Sequence, residues 1–76
     1  MVRITVHVTQ TGRRASEILA AVSDYLGTEF VPLDRNHGYF PIDDVGPKKA
    51  FTKVRAAFDA VSRDWYYYFV INYPDA

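Results

Sequence analysis

The sequence predicts an α+β fold in which two amphipathic helices pack on one face of an antiparallel sheet. Three observations lead to this prediction: an alternating N-terminal segment, two segments with apolar residues at helical spacing, and β-branched or aromatic residues in the remaining segments. Strict alternation indicates a strand with one buried face, which favours an antiparallel sheet. With 76 residues, the chain is expected to form a single domain, residues 1–76.

The first strand is predicted from Val2 to Thr9, where every second residue is valine or isoleucine. A helix is predicted from Arg13 to Leu26. Its apolar residues recur at the spacing of one helical stripe, and Gly27 follows where a left-handed C-terminal cap is expected.

The middle of the chain predicts two short strands joined by a turn. Residues 28–33 contain Pro32, which cannot donate to a ladder, so this strand is expected at an edge of the sheet. Residues 34–38 are rich in turn formers, and residues 39–42 are predicted to return as a strand. Pro41 would remove a ladder bond there, so the third strand could be short, bulged or peripheral. A three-stranded sheet is the alternative.

A second helix is predicted from Pro47 to about Arg63, with Asp43 and Asp44 favourably placed near the positive end of its dipole. The last strand is predicted from Trp65 to Tyr73. The resulting order of strands and helices is that of the ferredoxin-like βαββαβ arrangement, in which the first and third strands are central.

Composition limits the classes of function. The chain is 49% hydrophobic and 16% aromatic, which excludes intrinsic disorder. Nine basic and nine acidic residues leave no basic excess of the kind that nucleic-acid binders usually show. There is no cysteine for a disulfide or thiolate metal site. The sequence contains no apolar run of about 18 residues and begins as a strand rather than a signal peptide, so a soluble, cytoplasmic protein without membrane contact is expected.

The last strand predicts a binding surface. Alternation would turn Tyr66, Tyr68 and Asn72 toward the sheet face without helices, next to Arg3 and His7 of the first strand. Exposed aromatic patches usually mark interaction sites, so these five residues are the candidate binding residues. The simpler interpretation is that the tyrosines stabilise the sheet by cross-strand packing.

The second helix carries a second candidate patch on its outer side. A phosphate or an acidic partner could contact it, although the solvated face of an amphipathic helix is the simpler interpretation. The patch consists of Lys48, Lys49, Lys53 and Arg55.

Catalytic and metal sites are not predicted. The two histidines, His7 and His37, are expected on the sheet face and in a turn, without the three or four spaced ligands of a zinc site. The sequence contains no nucleophile elbow, phosphate-binding loop or dinucleotide fingerprint, so no cofactor is expected.

The sequence thus predicts a small non-enzymatic interaction protein, such as an inhibitor, adaptor or accessory subunit. It would bind a protein partner, or a second copy of itself, through the open sheet face and an edge strand. One alternative is single-stranded nucleic-acid binding through the sheet aromatics and the basic second helix. The other is a small enzyme that uses His7 or His37.

Overall fold

The computed structural model describes residues 1–74. Its elements are β1 (Val2–Val8), α1 (Arg13–Leu26), β2 (Val31–Pro32), β3 (His37–Ile42), α2 (Pro47–Val61), a 3₁₀ turn (Trp65–Tyr67) and β4 (Phe69–Ile71). The four strands form one sheet in the order β2-β3-β1-β4, and every pairing is antiparallel. The ferredoxin-like order with β1 and β3 at the centre is confirmed.

One hydrophobic core lies between the sheet and the two helices. Alternate residues of β1 and β3 are buried in it, together with the apolar stripes of both helices, as their spacing predicts. In the described part of the chain, the twelve buried apolar residues are Ile4, Val6, Ala15, Ile18, Val22, Phe40, Ile42, Ala50, Val54, Ala57, Phe58 and Phe69. Among residues 1–74, no helix lies on the opposite face of the sheet.

The helix ends follow local sequence. Gly27 ends α1 in the left-handed conformation, with φ 71°, and its N–H donates to the carbonyl of Ser23. Pro47 occupies the first turn of α2 after the N-cap residue Gly46. Asp43 and Asp44 lie just before that cap, near the start of α2 as predicted, and among the described residues no side chain caps the helix.

Pro41 does not interrupt β3. Its carbonyl accepts a hydrogen bond from the hydroxyl of Thr28 at 3.1 Å, on the side of β3 that faces away from β1. The N and the carbonyl of one strand residue point the same way, so the missing N–H also faces that side. On that side, β2 begins only at Val31, which pairs with Tyr39, so no strand lies opposite Pro41 and no ladder bond is lost. The pairing of β1 with β3 therefore runs unbroken from His7–His37 to Val2–Ile42.

The last strand is shorter than predicted, and the predicted strand from Trp65 is wrong over its first residues. The N–H of Thr9 donates to the carbonyl of Tyr68 at 2.7 Å, and β1 then turns toward α1. Residues before Tyr68 have no strand to pair with. They instead close i→i+3 hydrogen bonds, from Tyr67 to Asp64 and from Tyr68 to Trp65.

Candidate interaction surface

The open face is the side of the sheet opposite the helices. Its residues alternate with the buried ones along each strand and meet across the strands in three rows. The first row is Pro41 and Arg3; the second is Val31, Tyr39, Thr5 and Asn72; the third is His37, His7 and Val70. Asn72 follows β4 and joins its row through an N–H bond to the carbonyl of Thr5.

Arg3 and Tyr39 form a cation–π pair at one end of this face. The guanidinium carbon of Arg3 lies 4.7 Å from the centre of the Tyr39 ring, one row away on the neighbouring strand. Such a contact stabilises by about 0.5–1 kcal/mol at an exposed site. It also fixes the Arg3 side chain over the sheet, where the charged group is accessible from solvent.

His7 and His37 form a stacked pair at the other end. Their rings are 12° from parallel, with centres 5.1 Å apart. The Nδ1 of His37 lies 2.6 Å from a carboxylate oxygen of Asp34. Hydrogen bonds from the Asn36 N–H and from His37 lower the pKa of Asp34 below its usual 3.8. The prediction that His37 lies in a turn is wrong, because β3 begins at this residue.

Tyr66 and Tyr68 are not part of the face. Tyr66 lies in the 3₁₀ turn, where its ring packs against Tyr67 with centres 4.6 Å apart. A side-chain hydrogen bond with Tyr67 raises the pKa of Tyr66 above its usual 10.0. Tyr68 is half-buried and packs against the core. The structure therefore brings Arg3, His7 and Asn72 together, and separates the two tyrosines from them.

An open groove of about 700 Å³ lies where the open face meets the end of β4. Its polar walls are Arg3, Thr5 and Asn72, and its apolar walls include Val2, Pro47 and Tyr73. Tyr73 is held by Phe51 of α2, with ring centres 5.2 Å apart. Two of the predicted binding residues, Arg3 and Asn72, thus share one concave surface.

The outer edge of β4 is unpaired among the described residues. Thr5 of β1 and Thr9 just after it bond to Asn72 and Tyr68, so the backbone groups of the alternate residues Phe69 and Ile71 point away from the sheet. The other edge, β2, is only two residues long and one of them is Pro32. A strand added to this sheet would therefore pair with β4.

The basic patch of the second helix lies on the helical layer, on the other side of the sheet from the open face. Lys48, Lys49, Lys53 and Arg55 are all exposed, and within residues 1–74 none forms an ion pair. The two arginines at the start of α1 differ from the patch in being paired, Arg13 with Glu17 and Arg14 with Asp64. The patch remains a solvated helix face in this structure.

Two residues of the open face, Tyr39 and His37, were missed by sequence reasoning. Alternation with Phe40 and Ile42 could have placed Tyr39 there. The position of His37 opposite His7 depends on the register between β1 and β3, for which the sequence offers no local signal.

Comparison with known proteins found no similar protein. No protein-family model, no curated protein and no solved structure matches the chain. Among residues 1–74, neither helix combines the length and apolar character needed to cross a membrane.

Proposed function

We propose that this protein is a small non-enzymatic interaction protein that binds an extended, acidic segment of a different protein. The observation that supports this most is the groove at the junction of the open face and β4, with the positioned guanidinium of Arg3 in its wall. A cytoplasmic location stays a prediction from the sequence.

The polar and apolar residues that line the groove indicate what kind of partner it would bind. Arg3 supplies a forked set of donors that matches a carboxylate, and Asn72 supplies both a donor and an acceptor. Val2 and Tyr73 supply apolar surface beside them. A partner with one acidic side chain flanked by apolar ones satisfies both kinds of wall.

The edge of β4 suggests how the segment lies. Phe69 and Ile71 offer unpaired backbone donors and acceptors, so an extended segment could continue the sheet. The exposed strand has only three residues, so backbone pairing sets the direction of the segment and the groove must supply most of the binding free energy.

A second copy of the chain is a less suitable occupant. None of the nine residues in the three rows of the open face is acidic, so two such faces in contact would leave Arg3 without a carboxylate partner. A different protein can supply that carboxylate.

Single-stranded nucleic acid is a less suitable ligand for this face. Base stacking needs exposed ring faces on the sheet. The Tyr39 ring is covered by Arg3, His7 and His37 stack on each other, and Tyr66 and Tyr68 lie off the face.

The proposal is tested by selecting extended peptides from a displayed peptide library on the wild-type protein. Selected peptides should be enriched in Asp and Glu, and Arg3→Glu should weaken their binding at least tenfold because it places like charges together. The matched control is Arg63→Glu, an exposed residue just beyond the end of α2 that lies opposite to Pro47, which makes the same charge change away from the groove and should leave affinity unchanged.

Three outcomes would count against the proposal. They are peptides that bind Arg3→Glu as tightly as wild type, a wild-type dimer in light scattering that Arg3→Glu disrupts, and tight single-stranded DNA binding that weakens steeply with salt. The second would indicate self-association and the third nucleic-acid recognition. Histidine-dependent turnover of a substrate would support the enzyme alternative.

A further inference from the structure

The fold places two imidazoles from distant parts of the sequence directly opposite each other. His7 of β1 and His37 of β3 are Cα partners in the antiparallel register. Directly opposed residues of such a pair have Cβ atoms about 4.5–5.5 Å apart, which keeps both rings on the same side of the sheet. Neither ring is enclosed, because His7 is exposed and His37 only half-buried.

The ring separation is close to what a shared metal ion requires. Metal–nitrogen bonds of about 2.0–2.1 Å place two ligating nitrogens no more than about 4 Å apart. The ring centres are 5.1 Å apart and nearly parallel, so the in-plane nitrogen lone pairs do not point at one site until both rings rotate out of the stack. The second side-chain torsion of histidine is broad and permits this rotation.

Asp34 already fixes which nitrogen of His37 is free to ligate. Its Oδ2 lies 2.6 Å from Nδ1 of His37, which leaves Nε2 as the free nitrogen. Its other oxygen accepts the N–H groups of Asn36 and His37 at 2.7 and 2.9 Å, so the carboxylate is itself fixed. A carboxylate bonded to the far nitrogen of a ligating histidine is the usual outer partner in metal sites.

We propose that His7 and His37 bind one late first-row divalent cation, with Asp34 as the positioning residue. Imidazole ligands suit Cu²⁺, Ni²⁺ and Zn²⁺, and Cu²⁺ should bind most tightly. Within residues 1–74 no group of three or more His, Cys, Asp or Glu side chains could hold an ion, so water fills the remaining coordination positions. This site is independent of the proposed peptide groove, which lies at the other end of the face.

The test is a calorimetric titration of the untagged protein with Cu²⁺, Ni²⁺ or Zn²⁺ salts. One ion per chain is expected. His7→Gln and His37→Gln should each weaken binding at least tenfold, and Asp34→Asn should weaken it by about 10–100-fold. Asp24→Asn, an exposed change on α1, is the matched control and should bind like wild type.

A second measurement does not depend on the variants. In NMR spectra of the wild type, paramagnetic Ni²⁺ or Cu²⁺ should broaden the ring signals of both histidines at the same ion concentration. Broadening of one ring alone, wild-type affinity in either glutamine variant, or no binding at millimolar ion would overturn the proposal. The rings would then be a packing pair only.

Discussion

At the scale of single residues, Gly38 of β3 lies where no side chain fits. A Cβ at this position would be 2.4 Å from the carbonyl oxygen of Val31 and 2.5 Å from the Phe30 ring. We expect Gly38→Ala to lower the free energy of unfolding by about 1–3 kcal/mol, because the ring and β2 must both move. Urea unfolding followed by circular dichroism measures this loss.

Gly46 is the matched control for that substitution. It is the N-cap of α2, its φ is −77°, and a Cβ there would have no atom within 4 Å. Alanine is a poorer N-cap than glycine but reduces the entropy of the unfolded chain, and the two effects oppose each other. Gly46→Ala should therefore change stability by well under 1 kcal/mol. Equal losses in both variants would contradict the steric argument.

The need for glycine at position 38 is not visible in the sequence. Phe30 reaches Gly38 only because Pro32 pairs with Gly38 across the hairpin. That register follows from the whole turn between the strands rather than from any residue near Gly38. The same distinction applies to the candidate binding residues. Alternation within β1 was enough to place Arg3 and His7 on the open face. The contact between His7 and His37 could be predicted only from the register between β1 and β3.

At the scale of elements, a polar cluster ties the start of α1 to the end of α2. Arg14 donates to the Ser62 hydroxyl at 2.9 Å, and its guanidinium lies 3.4 Å from a carboxylate oxygen of Asp64. Ser62 is buried and also donates to Asp64. The cluster satisfies the Ser62 hydroxyl, which would otherwise be a buried polar group without a partner.

The Asp64 carboxylate makes the stability contribution of this cluster dependent on pH. The Ser62 hydroxyl, with help from Arg14, lowers the pKa of Asp64 below its usual 3.8. A depressed folded-state pKa means that the stabilisation is present above about 3.8 and is lost as the pH falls through the lower folded-state value. We expect Asp64→Asn to melt below wild type at pH 7, and the gap in Tm to close toward pH 2.

Melting curves between pH 2 and 7 measure this gap. Arg14→Gln should behave in the same direction, while Arg13→Gln should have little effect, since Arg13 and Glu17 form an exposed pair on the helix surface. A gap for Asp64→Asn that stays constant across the pH range would show that the carboxylate charge is not responsible.

Local signals explain why the helices were easier to predict than the last strand. The bounds of α1 follow from a stripe of apolar residues and from Gly27, all within the helix or next to it. The start of β4 depends instead on where β1 stops offering a partner, at Thr9. The aromatic residues from Trp65 onward favour a strand by propensity, but propensity cannot supply the missing partner.

At the scale of the whole molecule, one aromatic cluster joins the sheet to α2. Phe58 is fully buried, and its ring centre lies 5.1 to 6.1 Å from those of Phe69, Trp65 and Phe40. We expect Phe58→Ala to lower the free energy of unfolding by about 3–5 kcal/mol. The whole stability of a chain this size is roughly 4–11 kcal/mol, so this one substitution should remove a large share of it.

Two further variants keep this prediction measurable. Phe58→Leu retains most of the apolar volume and should lose only about 1–2 kcal/mol, leaving a folded protein for comparison. Phe51→Ala removes the same side chain from the half-buried rim of α2 and should lose less than Phe58→Ala. Similar losses at positions 51 and 58 would show that the cluster around Phe58 has no special weight. Thermal or urea unfolding distinguishes these outcomes.

The unequal edges of the sheet limit how copies of this chain can aggregate. A fibre grows through sheets only when each unit can accept a strand on two sides. Here β4 is open, whereas β2 has two residues and ends in Pro32, which has no N–H. Within residues 1–74, β4 is the one edge long enough to accept a further strand. We therefore expect growth by edge pairing to stop at two units, because the short proline-containing β2 does not accept another strand.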